Sequence, residues 1–222
     1  MQHGSIVTTE KLSDIFLSLE YMGAHNINLV TPTHYIPGIL KAIEKEKKHG
    51  LSLPIVYNTG GYETVNTLKM LDGYIDIYMP DFKYYRGEYS KKYSKAEDYP
   101  ETVKSAIAEM TRQVLPLKYN DNILTKGVIV RHLLLPGLLL DAKKILDYLF
   151  CVYGNEIIYS IMSQYTPLPH VSHIPELNRK TGTKEYNILC DYAARIGIEN
   201  AFIQSADSSD TCYIPDFFEQ IF

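Results

Sequence analysis

The sequence predicts an α/β fold, a partial (β/α)6, TIM-like barrel of parallel strands, and three observations carry that prediction. Apolar runs of strand length alternate with amphipathic segments of helix length along the chain, which is the pattern of parallel strands joined by crossover helices. Polar clusters stand at the carboxyl ends of successive strand segments, at Thr31/Thr33/His34, Asn58/Thr59, Asp81/Lys83, Arg131/His132 and Gln164/Tyr165, where barrels assemble their sites. No Gly-x-Gly-x-x-Gly loop follows the first strand, so an open dinucleotide-binding sheet lacks its phosphate cradle. About six strands are expected, whereas a closed eight-unit barrel takes about 250 residues. The chain also opens on a helix, so the expectation is one domain over residues 1–222 that lacks the first strand of its barrel.

The elements follow in order. Thr8-Thr9-Glu10-Lys11 precedes Leu12, Ile15, Phe16 and Leu19 at helical spacing, predicting a helix from about Thr9 to Met22 that stops at Gly23. Ile27 to Val30 reads as a buried strand ending in the breaker-rich Thr31-Pro32-Thr33-His34. A helix from about Tyr35 to His49 closes at Gly50, and Leu53 to Tyr57 forms the next strand, which delivers Asn58-Thr59-Gly60-Gly61. A short helix at Val65 to Leu71 leads to a strand at Ile75 to Met79 and then to Pro80-Asp81-Phe82-Lys83. Pro100 opens a long helix to about Leu117, followed by a strand at Gly127 to Leu135 and a helix at Leu139 to Tyr153. Ile157 to Ser163 is a strand, Thr166 to Pro175 is irregular, Lys184 to Ile196 is helical, and Ala201 to Gln204 is a last short strand.

Composition narrows the function classes. An apolar share of 45% suits a chain with a sizeable core. The 22 basic and 26 acidic side chains leave a net charge of -4 with no basic stripe, which argues against nucleic acid or an anionic membrane as partner. No apolar run approaches the roughly 20 residues of a membrane span, and the N-terminus lacks a signal-peptide pattern. A cytoplasmic location is expected. Cys151, Cys190 and Cys212 lack CxxC-type spacing, against both a disulfide framework and a local metal knuckle; they read as core thiols.

The residues able to carry chemistry each admit two readings. Asp81 and Lys83 lie two apart at a strand end, on one side of an extended chain, and either hold a zwitterionic ligand or form an ordinary salt bridge. Asn58-Thr59-Gly60-Gly61 either brings backbone donors close to a ligand or simply turns the chain. Strand alternation sends Arg131 and His132 to opposite faces; Arg131 either clamps a carboxylate in bidentate fashion or lies along the surface, and His132 reads as a satisfied histidine facing the helices. His34 stands after a strand as a site candidate, whereas His170 and His173 fall in a Pro-rich loop without neighbouring acidic or thiol ligands. The tyrosines from Tyr74 to Tyr93 read as packing and surface cover.

Together, Asn28 to Tyr35, Val56 to Tyr62, Asp76 to Lys83 and Arg131 to Gly137 resemble the radical S-adenosylmethionine superfamily, in the branch of iron–sulfur proteins related to pyruvate formate-lyase activating enzyme. Phe202 to Gln204 and Ile214 to Phe217 add to the likeness, which covers nearly the whole chain. The resemblance implies S-adenosylmethionine bound across the strand ends and a [4Fe–4S] cluster that reduces it, so that a hydrogen atom is abstracted, for example from a glycyl residue of a partner enzyme. By similarity, Thr31, Thr33 and His34 stand where relatives carry a Gly-Gly-Glu segment for the methionyl amine, here replaced. Asn58 and Thr59 match a loop that approaches the cofactor, Asp81 and Lys83 an Asp-x-Lys pair at its methionyl end, and Arg131 an arginine for its carboxylate. A monovalent cation near Asp81 and Met79 is a further implication.

The family's Cys-x-x-x-Cys-x-x-Cys run is absent from the sequence, although such clusters are held by cysteine thiolates. Met1 to Ser5 resembles the segment just downstream of that motif, so the expectation is a chain truncated after its cluster loop and inactive alone. Truncation also predicts an exposed edge at Ile27 to Val30 that aggregates or pairs with another chain. Two competing readings are a non-catalytic barrel remnant that binds a nucleotide-like ligand or protein, and a divalent-metal lyase or hydrolase built on His34, Asp81 and His132.

Overall fold

The computed structural model describes residues 5–204; Met1 to Gly4, Cys212 and Ile214 to Phe217 lie outside them. The first helix, α1 (Thr9–Tyr21), is capped by the Thr8 hydroxyl, which accepts from the Lys11 amide, and buries Phe16. Strand β1 (Ile27–Val30) passes through a 3-10 turn at Thr33–Tyr35 into α2 (Ile36–Lys48), which packs on α1. Strand β2 (Ile55–Thr59), helix α3 (Val65–Lys69) and strand β3 (Ile77–Pro80) follow. Then come α4 (Gly87–Ser94), α5 (Tyr99–Val114), β4 (Lys118–Asn120), β5 (Ile123–Leu133), α6 (Leu139–Tyr153), β6 (Ile158–Met162), α7 (Thr183–Ile196) and β7 (Ala201–Ile203).

Six strands pair in parallel in the order β1-β2-β3-β5-β6-β7, and β4 joins β5 antiparallel to make a seven-stranded sheet. This is the expected α/β plan of a partial TIM-like barrel. Among the described residues β1 is an edge strand whose hydrogen-bonded neighbour is β2. The helices cover one face, where Tyr57, Tyr78 and Tyr159 from the strands meet Phe16, Ile43, Ile107, Met110 and Leu146 from the helices in one apolar core. Tyr57 and Tyr78 meet edge to face at 5.8 Å.

Three departures from the sequence reading have physical causes. Strand β2 starts at Ile55 instead of Leu53 because Pro54 has no amide to donate, while its carbonyl accepts from Ile27. Helix α5 ends at Val114, ahead of Pro116, and the released chain turns back through Asp121 and Asn122, both at positive φ. That two-residue reversal, with both central residues left-handed, forms the β4–β5 hairpin, so β5 starts at Ile123 and not at Gly127. Helix α4 is the third: its tyrosines look like scattered cover in sequence, but Tyr89 and Tyr93 stack at 6.2 Å and Tyr93 also meets Tyr84 at 6.2 Å.

Candidate functional site

Strand alternation sorts the strand-end residues onto two faces. Tyr57 is in the helix-side core and the Tyr78 hydroxyl donates to Gln113 of α5 at 2.6 Å, so Asn58, Met79 and Asp81 point to the concave face. On β5, Val130 and His132 are buried on the helix side, which turns Arg131 the other way. The His132 Nδ1–H donates to the Phe82 carbonyl at 2.8 Å. Burial holds its imidazole below the usual pKa.

On the concave side three charges meet. Arg131 Nη2 lies 2.6 Å from Asp81 Oδ1, and Lys83 Nζ lies 3.4 Å from Asp81 Oδ2. The register that brings them together is continuous: Asp81 bridges Arg131 in parallel, Phe82 N donates to the Arg131 carbonyl at 2.8 Å, and Asp81 N donates to the Thr59 carbonyl at 2.9 Å. The Asp81–Arg131 contact is close but poorly aligned, so buried Asp81 Oδ1 and Arg131 Nε keep no hydrogen-bond partner. Lys83 is nearly half exposed at 46%, against 18% for Asp81. A carboxylate, a guanidinium and a half-exposed ammonium thus share one face at adjoining strand ends. That set suits a ligand carrying both an amine and a carboxylate. Arg131, read as a carboxylate clamp or a surface residue, is engaged with the carboxylate of Asp81.

The supporting frame is hydroxylic. The Tyr99 hydroxyl accepts from the Lys83 amide at 3.0 Å and donates to the Asp81 carbonyl at 2.8 Å; burial pushes its ionisation upward, so it remains a donor. Gly61, at φ +79°, is where the β2 and β3 loops touch: an added Cβ there lies 2.3 Å from the Asp81 carbonyl oxygen. For Gly61, close packing of two loops is therefore the reading the geometry favours.

The remaining candidates divide. Thr31 is exposed at φ +51°, and its amide donates to the Asn58 carbonyl at 2.8 Å. His34 is exposed on the 3-10 turn. Thr33 and Thr59 both donate to Glu63 Oε1 at 2.6 Å, which draws their hydroxyls toward the helix side, away from the three charges. Glu63 itself, 4% exposed, was not legible: an acid just ahead of a short capped helix looks like surface. Cys151 is exposed on α6 and Cys190 half-buried on α7, so the core-thiol reading fails for Cys151. His173 is exposed.

Among the described residues no three His, Cys, Asp or Glu side chains gather where they can hold a metal ion. His34, Asp81 and His132 do not form one set, because His132 is turned into the helix layer. The described residues likewise supply no trio of thiolates for an iron–sulfur cluster, so that group does not fit them. S-adenosylmethionine fits better: its methionyl amine and carboxylate match Asp81 and the Arg131–Lys83 pair in charge. Among the described residues no helix is long and apolar enough to cross a membrane.

Comparison with known proteins bears on the fold. The fold superposes on a radical SAM methyltransferase from Sphaerobacter thermophilus with a TM-score of 0.59 and 12% identity, over 92% of this chain and 60% of that one. The chain therefore has a radical SAM-type barrel fold. In sequence it is 28% identical over 177 residues to an uncharacterised protein of Methanocaldococcus jannaschii, covering 78% of this chain and 47% of the relative. The chain spans about half the length of the curated relative it matches. No family model matches the sequence.

Proposed function

We propose that this chain is an S-adenosylmethionine-binding barrel of radical SAM type, with the methionyl end of the cofactor held by Asp81, Lys83 and Arg131. The observation that carries the reading is the acid–guanidinium–ammonium cluster at adjoining strand ends, in a fold shared with a radical SAM methyltransferase. In this reading the ligand carboxylate takes the spare Arg131 donor and Lys83, while Asp81 accepts from the ammonium. The register of β3 against β5 holds Asp81 and Arg131 together before the ligand arrives, which limits the entropy lost on binding. Asn58 faces the same side at the end of β2 and lies next to the cofactor path.

The finer reading is an activating-enzyme-like protein that abstracts a hydrogen atom from a glycyl residue of a partner enzyme. It rests on the motif resemblance and on a cluster for which the described residues supply no ligands. The activity proposed for this chain alone is therefore binding without cleavage of the cofactor.

Calorimetric titration of S-adenosylmethionine tests the reading. Binding to the wild type is expected, with affinity at least tenfold weaker in both Arg131→Met and Asp81→Asn, since each strands one charge of the ligand zwitterion. 5′-Methylthioadenosine, which lacks the amine and carboxylate, is expected to bind equally to wild type and variants. No heat with S-adenosylmethionine, or equal affinity in all three proteins, overturns it.

A further inference from the structure

Three hydroxyls converge on one atom at the ends of β1 and β2. Glu63 Oε1 receives Thr33 from the loop after β1 and Thr59 from the end of β2, both at 2.6 Å, and the Tyr57 hydroxyl at 3.3 Å. Thr33 and Tyr57 oxygens are themselves 3.3 Å apart, and the Gly61 amide donates back to the Thr59 hydroxyl at 3.3 Å. Glu63 Oε2 is buried with no partner. Burying a carboxyl group costs free energy unless donors offset it, so the three hydroxyls on Oε1 compensate part of the burial of Glu63.

Two residues before Thr33, Thr31 sits at φ +51°. A β-branched residue is strained in that left-handed region and keeps it only where neighbouring contacts over-determine the turn. The contacts on either side of Thr31 are the Val30–Asn58 pairing of the strands and the anchoring of Thr33 to Glu63.

We propose that Glu63 is a positioning residue: by pinning Thr33 to Thr59 across β1 and β2 it enforces the strained Thr31 turn and sets that loop against Asn58 at the mouth of the strand-end site. Its effect on ligand rests on the S-adenosylmethionine reading above; its effect on the loop does not. No side chain on β3 or β5 hydrogen-bonds to these groups, and the contact with β3 is the Tyr57–Tyr78 ring packing, so Glu63 acts chiefly on the β1 side of the site.

The test combines amide hydrogen exchange with calorimetry on Glu63→Ala, Glu63→Gln and the double variant Glu63→Ala with Thr31→Gly. In Glu63→Ala, exchange within residues 31–36 is expected to quicken at least tenfold while β3 and β5 amides stay as in the wild type, and affinity for S-adenosylmethionine to fall about tenfold. Glu63→Gln keeps an acceptor oxygen for the hydroxyls and is expected within threefold of the wild type. Glycine adopts the left-handed turn without strain, so Thr31→Gly is expected to return the double variant to within threefold, a rescue that a purely structural role for Glu63 does not produce. Wild-type exchange in residues 31–36 of Glu63→Ala, faster exchange spread evenly over the sheet, or no rescue overturns the proposal. If the wild type binds no S-adenosylmethionine, the functional reading fails, and exchange in the three variants still decides the role of Glu63. Should Glu63→Ala not fold, Thr33→Val removes the β1-side anchor alone and is expected to quicken the same segment; unchanged exchange there overturns the proposal.

Discussion

His132 shows how one side chain couples the site to pH. Its Nδ1–H is spent on the Phe82 carbonyl and its Nε2 is buried without a partner, so a second proton finds no acceptor. Burial lowers its pKa, with the fields of Asp141 and Asp81 opposing that shift. The unfolded chain takes up the proton near the ordinary histidine value of about 6.5, while the folded chain resists until lower pH. The unfolded state then binds more protons, and stability falls as pH drops below that value. The urea midpoint of the wild type is expected to be lower at pH 5.5 than at pH 7.5, and His132→Gln, whose amide can still donate to Phe82, is expected to narrow the difference. An equal difference in both proteins counts against the assignment.

At the scale of elements, β1 is an exposed edge. Val30 is 67% exposed at its end, and a groove of about 940 Å³ runs beside it between Ile6, Leu12, Ile15, Leu29, Tyr35 and Ile39. An edge strand flanked by apolar surface is a template for another strand, and natural edges are blunted by charge. Val30→Lys is expected to reduce concentration-dependent association in sedimentation velocity while changing unfolding free energy by less than about 0.5 kcal/mol, as exposed substitutions do. Unchanged association in the variant rejects β1 as the sticky edge. The middle of the sheet differs: β5, at 11 residues, runs between β3 and β6 with β4 folded on its first part.

For the molecule as a whole, the proposed site draws on the ends of β2, β3 and β5, so a ligand bound there ties together strands whose connections run through separate helices. Binding to the folded state alone stabilises by mass action, about 2.7 kcal/mol at a ligand concentration of 100 times Kd. For a chain of this size that corresponds to a melting temperature about 5–10 °C higher. S-adenosylmethionine is expected to give this shift in a thermal melt and 5′-methylthioadenosine a much smaller one. Equal shifts from both place recognition on the adenosyl end and not at Asp81, Lys83 and Arg131.

The sequence by itself determined the alternation of strands and helices, the concentration of polar residues at strand ends, and the pairing of Asp81 with Lys83, because strand and helix periods and a two-residue spacing are local properties. It also turned Arg131 and His132 to opposite faces, for the same reason. Only the tertiary structure decided that Arg131 meets Asp81, since that contact depends on the register of β3 against β5, 50 residues apart in the chain. It alone drew Thr33 and Thr59 to Glu63 and turned the chain back at Asp121 and Asn122 into a hairpin. A buried carboxylate and an exposed one are the same letter in a sequence; which it becomes depends on what the rest of the chain folds around it.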